Sequence, residues 1–242
     1  MPKRFVVAAS EFSELPRCAT GFELADALMA AAQQLHETES THSTLRTAVR
    51  LAVHILPGAE HAGISVIERD ARRQTLAWTD EVVRSAEALT ADRDRPPYWS
   101  RLWTTPVAGI EDSSSAEEDG ELGLSGLGLR SVLSMRLRAD QRRLTVLTAY
   151  ARKPRVFDES ATRIGRLFTA HVSIALDSVT MREQLTEAMR TRDLIGQATG
   201  ILMERLDIDA SEAFDSLVRT SQRENIKLRD LARRIVDASA GE

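Results

Sequence analysis

The sequence contains one cysteine, Cys18, among its 242 residues. A single cysteine excludes an internal disulfide and a cysteine-built zinc site, which is typical of a protein in a reducing cytoplasm. Long apolar runs are missing too, because no stretch approaches the ~18 consecutive apolar residues of a membrane span. The amino-terminal apolar run ends at Ser10 and is too short for a secretory signal. These absences predict a cytoplasmic protein without a membrane segment.

An excess of positive charge is also missing, since the net charge is -4 and the pI is about 5.8. Composition therefore does not indicate nucleic-acid binding, and such a function must rest on local residues. The sequence has no GxSxG or HExxH motif, and its five histidines are scattered. The acidic segment 111–121 matches no EF-hand loop, and the glycines of 120–128 match no phosphate-binding loop. We predict no catalytic residue and no metal site.

The longest regular feature is a helical stretch from Asp158, a predicted N-cap, to about Leu206. Alternating spacings of three and four residues draw a narrow stripe along it, typical of the seam of a two-stranded coiled coil. One helix cannot bury such a stripe alone, so we predict a homodimer through this helix, with packing inside one subunit as the alternative. The predicted seam is Ile164, Leu167, His171, Ile174, Ser178, Met181, Leu185, Ala188, Arg192, Ile195, Thr199, Leu202 and Leu206.

Before this helix, the apolar period changes from helical to strand-like. Residues 1–20 have no sustained period and are predicted to form an irregular arm. Two helices are predicted from Gly21 and after Thr41, and alternation then predicts a hairpin over 62–78 and an antiparallel pair, 131–138 with 144–150. The segment 86–112 is predicted to place a short helix over the sheet. The predicted buried face of the first helix is Phe22, Leu24, Ala25, Leu28, Met29, Ala32 and Leu35.

Residues 21–178 resemble a GAF domain. The resemblance is carried by RSVLSMRL at 130–137, LTVLTAY at 144–150, and Phe157 with Asp158 before the last helix. It implies a six-stranded antiparallel sheet with helices that holds a small ligand or packs as a dimer. The domain has no cysteine for chromophore attachment and no cyclic-nucleotide site that we recognise, so no cofactor is predicted and a small-molecule ligand stays open.

The carboxyl-terminal residues closely resemble an ANTAR domain. The similarity is carried by RTRDLIGQATGILMER at 190–205, followed by Glu212, Ala213, Phe214, Leu217, Ser221, Asn225, Lys227, Leu228 and Ala232. It implies a three-helix unit on a coiled-coil stem that binds tandem RNA stem-loops and prevents transcription termination. Thr199 stands where many relatives have lysine, which implies one cationic contact fewer.

The residues themselves also predict a small helical unit. Asp209 and Glu212 are spaced as a capping box that begins a second helix, and apolar stripes predict a shared three-helix core. Gly196 and Gly200 each cost about 1 kcal/mol against alanine inside a helix, so they indicate close approach of another helix or of RNA.

Polar residues left outside this core are the predicted RNA contacts, together with Gly200. Arginine and lysine engage phosphates, whereas Asn, Gln and Ser can bind the exposed edges of loop bases. A merely solvated surface is the alternative, because acidic residues lie among them. The predicted RNA-binding residues are Arg190, Arg192, Gln197, Gly200, Ser221, Gln222, Asn225, Lys227 and Arg229.

The predicted fold class is α+β: a GAF-like antiparallel sheet with helices, joined by a long coiled-coil helix to an all-α three-helix ANTAR-like domain. The predicted divisions are 1–20, 21–178 and 179–242. The predicted function is a cytoplasmic transcription antitermination regulator that binds tandem RNA stem-loops as a dimer under control of the GAF-like domain, and not an enzyme. The alternatives are a DNA-binding regulator and a ligand-sensing dimer that acts only through protein partners.

Overall fold

The structure is a computed structural model that describes residues 21–70, 72–89, 98–114 and 123–239. The predicted arm 1–20, Cys18 within it, and Gly120 with most of the acidic loop lie outside these ranges. The chain divides into two compact units, Met1–Thr180 and Met181–Glu242, called here the first and second units.

The first unit is built on an antiparallel sheet whose strands lie in the order β2-β1-β5-β4-β3. The predicted hairpin β1–β2 and the central pair β4–β5 are confirmed, and Met135 lies opposite Leu147 in that pair. Within the described residues the sheet has five strands, whereas the GAF resemblance implied six. The strands are β1 His61–Glu68, β2 Arg73–Trp78, β3 Val107–Ile110, β4 Ser131–Ala139 and β5 Arg143–Ala151.

Helices cover both faces of this sheet. Helices α1 Gly21–His36 and α2 Thr41–Ile55 pack on one face, where Ile64 and Leu147 belong to the same buried cluster. The other face is covered by α3 Glu81–Ala88, which was not predicted, and by a 3-10 helix, Tyr98–Trp103, which lies in the segment 86–112 where a short helix was predicted. Since both faces are buried, the strands carry apolar residues on both sides.

Helices α1 and α2 each bury one side. In α2 the buried residues include Leu45, Ala48 and Ala52. In α1 the prediction was partly wrong, because Ala31 is buried and Met29 is 57% exposed. Alanines occur all round α1, so its sequence contains several nearly equivalent stripes, and packing against α2 selects one of them.

Helix α4, Glu159–Leu206, begins on the first unit. Asp158 accepts a hydrogen bond from the backbone N–H of Ala161 at 2.8 Å, which confirms the predicted cap. Ile164 and Phe168 are buried in the cluster between the sheet and the helices. Ile164, predicted in the coiled-coil seam, therefore packs on its own sheet, and that part of the seam prediction was wrong.

The second unit contains the end of α4 with α5 Ala210–Glu224 and α6 Leu228–Ser239. Its predicted three-helix core is present, with Ala198, Leu217 and Ala232 at the centre. The predicted capping box is confirmed: Asp209 Oδ1 accepts from the N–H of Glu212 at 2.9 Å, and Glu212 Oε2 accepts from the N–H of Asp209 at 3.3 Å. The seam prediction was wrong at Ile195 and Leu202, which pack against this core instead.

Among the residues that the structure describes, no helix combines the length and the apolar composition needed to cross a bilayer.

Candidate nucleic-acid interface

The predicted RNA contacts occupy two surfaces of the second unit. The first surface is the exposed side of α4, with Arg190, Arg192, Gln197 and Gly200. The second is the turn between α5 and α6. It carries Ser221, Gln222, Asn225, Lys227 and Arg229, of which only Ser221 is partly buried. These residues are therefore accessible in the chain, apart from the partial cover of Ser221.

Ser221 and Asn225 have structural roles in the α5–α6 turn. Asn225 ends α5 in the left-handed conformation, with φ 52° and ψ 41°, and its backbone N–H donates to the carbonyls of Ser221 and Gln222. The Ser221 hydroxyl donates to the carbonyl of Ile226 at 2.6 Å. Asparagine suits this position because it tolerates the left-handed region better than other non-glycine residues. The turn residues thus shape the surface as well as offering polar groups.

Two substitutions at Asn225 separate these roles. Asn225→Ala should destabilise the second unit by about 1 kcal/mol, because alanine is strained at this φ, whereas Asn225→Gly should keep the turn. If the Asn225 side chain reads a loop base, both variants should lose about 1–3 kcal/mol of discrimination between RNA loop sequences. Urea unfolding and gel-shift titrations measure the two effects. Full discrimination in the glycine variant would limit Asn225 to its turn role.

The start of α6 has an unusual charge arrangement. Lys227 directly precedes α6, and Arg229 lies in its first turn beside Asp230. Ser, Thr, Asp and Asn are preferred immediately before a helix, and the helix dipole disfavours cations there. The positive charges at this end are thus unfavourable for the helix itself, and the same dipole favours an anion such as a phosphate.

The Arg229 side chain forms ion pairs within the second unit. Its guanidinium lies 3.5 Å from the carboxylate of Glu187 on α4 and 3.5 Å from that of Asp230. Its side chain is 45% exposed, and such exposed ion pairs contribute roughly 0–1 kcal/mol. Charge reversal would place two carboxylates together, so neutral variants of Arg229 are the cleaner test.

Gly196 and Gly200, the glycines of α4 that lie in the second unit, have open space around them in the described part of the chain. A Cβ atom added at Gly196 or Gly200 would have no atom within 4 Å outside the local helix backbone. Contact with α5 and α6 therefore does not require these glycines.

A buried polar cluster in the first unit was not predicted from the sequence. Arg73 on β2 and Glu87 on α3 form an ion pair at 2.9 Å, and Arg73 Nε donates to the Ser65 hydroxyl at 2.8 Å. Burial raises the pKa of Tyr98, whose hydroxyl lies 3.0 Å from that of Ser134, so this phenol stays neutral. Burial lowers the pKa of Arg73, but the Glu87 carboxylate together with Tyr150 and Tyr98 raises the pKa above its usual value, so the guanidinium stays charged.

No sequence signal separates Arg73 and Glu87 from their exposed neighbours. Arg73 follows another arginine in a charged turn, and Glu87 lies in a short helix with further charged residues. Their burial results from packing of α3 against the sheet, where Glu87 Oε1 would lie 2.7 Å from a Cβ added at Gly63. Glycine at position 63 thus allows this close approach.

The structure thus combines a sheet domain, a long connecting helix and a three-helix unit with an accessible polar surface. Residues 38–177, more than half of the chain, match the GAF domain family, and residues 183–236 match the ANTAR domain. The chain therefore belongs to the GAF family and is a GAF–ANTAR regulator.

Solved structures with the same fold share little sequence with this chain. The bacteriophytochrome RpBphP3 from R. palustris is 14% identical with a TM-score of 0.57; the match covers 77% of this chain and 44% of that one. A GAF domain of an Acinetobacter phosphoenolpyruvate-protein phosphotransferase is 16% identical with a TM-score of 0.52, covering 69% of this chain and 99% of that one.

A third similar structure is the free methionine-R-sulfoxide reductase from Neisseria meningitidis, determined with its substrate. It is 13% identical with a TM-score of 0.52, and the match covers 69% of this chain and 98% of that one. At these identities the likeness supports the fold alone. No curated protein matches the chain.

Proposed function

We propose that the protein is a cytoplasmic transcription antitermination regulator that binds tandem RNA stem-loops as a dimer under control of its GAF domain. The observation that carries this proposal is the ANTAR match over residues 183–236, because the family consists of RNA-binding antitermination regulators. The GAF match over 38–177 supports the sensor role.

The α5–α6 turn is the proposed centre of RNA binding. Lys227 and Arg229 contact RNA phosphates at the amino-terminal end of α6. Gln222 and Asn225 hydrogen-bond the edges of loop bases. Arg190, Arg192 and Gln197 on α4 extend the contact with RNA. The Ser221 hydroxyl oxygen accepts a hydrogen bond from RNA.

Thr199 supports the expectation of one cationic contact fewer. Its hydroxyl donates to the carbonyl of Ile195 at 2.8 Å and is partly buried, so it is engaged within α4. A lysine at this position in other members would add a charge that this chain does not have. We therefore expect a smaller salt dependence of RNA binding here than in a Thr199→Lys variant, by roughly 0.7–0.9 in slope.

Dimerisation through α4 is supported by an uncovered apolar stripe. Leu167, Ile174, Met181 and Leu185 are 52%, 68%, 69% and 62% exposed, although all four are apolar. Every residue from Met181 to Arg190 is exposed, so the described chain leaves the apolar side chains of this helical segment uncovered, although Glu187 forms an ion pair with Arg229. Since contiguous exposed apolar surface marks interaction sites, a second copy of α4 is the proposed cover.

Helix α4 is also the proposed route of the signal. It begins in the core of the GAF domain, where Phe168 and Val172 are buried, and ends in the ANTAR core with Ala198. A change in the first core that shifts α4 would alter the pairing of the two copies of the helix, and with it the spacing of the two RNA-binding units.

A charge-substitution series tests the RNA proposal. Lys227→Gln and Arg229→Gln should each lower the salt slope of RNA binding by roughly 0.7–0.9, since each removes one phosphate contact. Lys227→Glu with Arg229→Glu should abolish binding to a tandem stem-loop. Gel-shift titrations at several salt concentrations, with circular dichroism of every variant, provide the measurement.

The matched control changes the same charge further along α6. Arg233→Glu with Arg234→Glu alters two exposed arginines on the same helix, away from the turn, and should change RNA affinity far less. Equal losses in the two double variants would indicate a general charge effect. Unchanged affinity in the folded Lys227→Glu, Arg229→Glu protein would move the RNA surface to the Arg192 and Gln197 side of α4.

Sequencing the nucleic acid crosslinked to the protein in its native cell separates the proposal from its alternatives. Recovery of RNA with paired stem-loops is expected. Recovery of DNA alone would favour the DNA-binding regulator, in which Arg229, Arg233 and Arg234 would contact the duplex. Recovery of protein partners alone would favour the ligand-sensing dimer.

A further inference from the structure

One side of α4 that the described chain leaves uncovered carries a set of positions with a different period from the predicted seam. From Ile174 onward they can be traced with successive spacings of four, three and four residues, so that the pattern repeats every eleven residues. None of the nine positions is buried in the chain. They are Ile174, Ser178, Met181, Leu185, Met189, Arg192, Gly196, Gly200 and Met203.

The predicted seam, with alternating spacings of three and four residues, repeats every seven residues and is called here the heptad register. It cannot continue along the whole helix. Beyond Leu185 it leads to Ala188, Ile195 and Leu202, of which Ile195 and Leu202 pack on the core of the ANTAR domain. An α-helix has 3.6 residues per turn, so a strict 3.5-residue stripe drifts round it by about 20° in each heptad. In this chain the drift carries the stripe under α5 and α6, where a partner helix has no access.

The eleven-residue register stays on the accessible side. Met189 is 60% exposed and Met203 is 36% exposed, and Gly196 and Gly200 lie between them on the same side of α4. A Cβ at either glycine would meet nothing in the described chain within 4 Å. The two glycines therefore leave a shallow gap between apolar side chains, into which another helix backbone fits.

We propose that the dimer seam follows this eleven-residue repeat, and that two parallel copies of α4 come closest at Gly196 and Gly200. The inference rests on the dimer of the proposed function and specifies its contact surface. It assigns Arg192 and Gly200, predicted above as RNA contacts, to the seam and leaves Arg190 and Gln197 on α4 for RNA. In the parallel arrangement each glycine lies opposite the same glycine of the partner helix. Both ANTAR domains then lie at the same end of the pair, as binding to one tandem RNA requires. The repeat has 3.67 residues per turn, so the pair lacks the left-handed supercoil of a heptad coiled coil.

Gly200→Leu tests the close approach without damage to the fold. Leucine is a better helix former than glycine and has open space here, so the thermal midpoint should stay or rise. The dimer should dissociate at least about tenfold more readily in sedimentation equilibrium without RNA, because the side chain separates the two backbones. Gln197→Leu places the same residue on exposed α4 away from the seam and should leave the dimer unchanged.

Arg192→Leu provides a test in the opposite direction. It replaces a charged seam residue by an apolar one, so the dimer should become tighter. If the heptad register were correct, Arg192 would lie in the seam as well, but Gly200→Leu would then have no effect. The glycine variant therefore decides between the registers, and the arginine variant checks that this side of α4 is in the seam at all.

Disulfide crosslinking locates the seam directly. In a Cys18→Ser background, single cysteines at Met189 and Gly196 should crosslink readily, and one at Gln197 should not. A monomeric wild type would overturn both this inference and the proposed dimer. A stable dimer that Gly200→Leu leaves intact would overturn the inference alone, and loss of RNA binding in that intact dimer would assign the glycines to RNA.

Discussion

Replacing Leu185 by proline is expected to break α4 between its two packed ends and to leave the protein monomeric. Proline lacks the N–H that bonds to the preceding turn and its ring clashes there, at a cost of about 3 kcal/mol or more. The residues from Met181 to Arg190 are all exposed, so neither core is touched by the substitution. Sedimentation should show loss of the dimer, circular dichroism a smaller helix signal, and gel shifts weaker RNA binding.

Leu185→Ala is the matched control, because alanine keeps the helix and removes only the apolar contact. It should weaken the dimer less than proline does. Equal effects of the two variants would mean that side-chain contact, and not continuity of α4, holds the dimer. A wild-type protein that is monomeric at about tens of micromolar would contradict the dimer itself.

Glu87→Leu is expected to lower the free energy of unfolding of the GAF domain by about 3–5 kcal/mol. The Glu87 side chain is 0% exposed and that of Arg73 is 11% exposed, so the substitution leaves a guanidinium buried without its counter-charge. All three tryptophans, Trp78, Trp99 and Trp103, lie in this domain, so their fluorescence during urea unfolding reports on it separately.

The double variant Arg73→Met, Glu87→Leu is the control for this prediction. Replacing both members of a buried ion pair by apolar residues is often neutral or stabilising, so most of the lost stability should return. The double-mutant cycle then measures the coupling between the two side chains. Additive losses would contradict a pairing role and point instead to separate packing roles of Arg73 and Glu87.

The face of α4 that is covered by its own chain could not be read from the sequence. Ile164 and Ile195 fit an apolar stripe as well as Leu185 does, but the first packs on the sheet and the second on the ANTAR core. A sequence pattern shows that a stripe needs cover, and it does not show which neighbour supplies it. The distinction between the heptad and the eleven-residue register needs the burial of each position.

Local capping was predictable to the residue. Asp158 and the pair Asp209 and Glu212 act through backbone groups a few residues away, so short-range spacing is sufficient to identify them. The link between Arg229 and Glu187 was not predictable, because it joins two helices whose relative position depends on the core between them. The same limit applies to the proposed RNA surface, because the sequence indicates polar residue types and does not indicate which residues lie beside them in the fold.

Short edge elements also escaped prediction. Strand β3 contains four residues, Val107–Ile110, and a run of this length shows too little alternation to be recognised. Its pairing with β4 depends on Gly109, where an added Cβ would lie 2.7 Å from the carbonyl oxygen of Val132. That requirement is imposed by the neighbouring strand and leaves no periodic signal in the sequence.

The strand order has a consequence for the time course of folding. Strand β1 pairs with β5 along its whole length, yet β2, α3, β3 and β4 all lie between them in the sequence. The ANTAR domain consists of helices that follow one another directly, so most of its contacts are local. Because non-local pairing slows folding, the GAF domain should refold more slowly than the helical unit that is synthesised after it. In stopped-flow refolding, most of the helix signal of the ANTAR domain should therefore precede the tryptophan signal of the sheet.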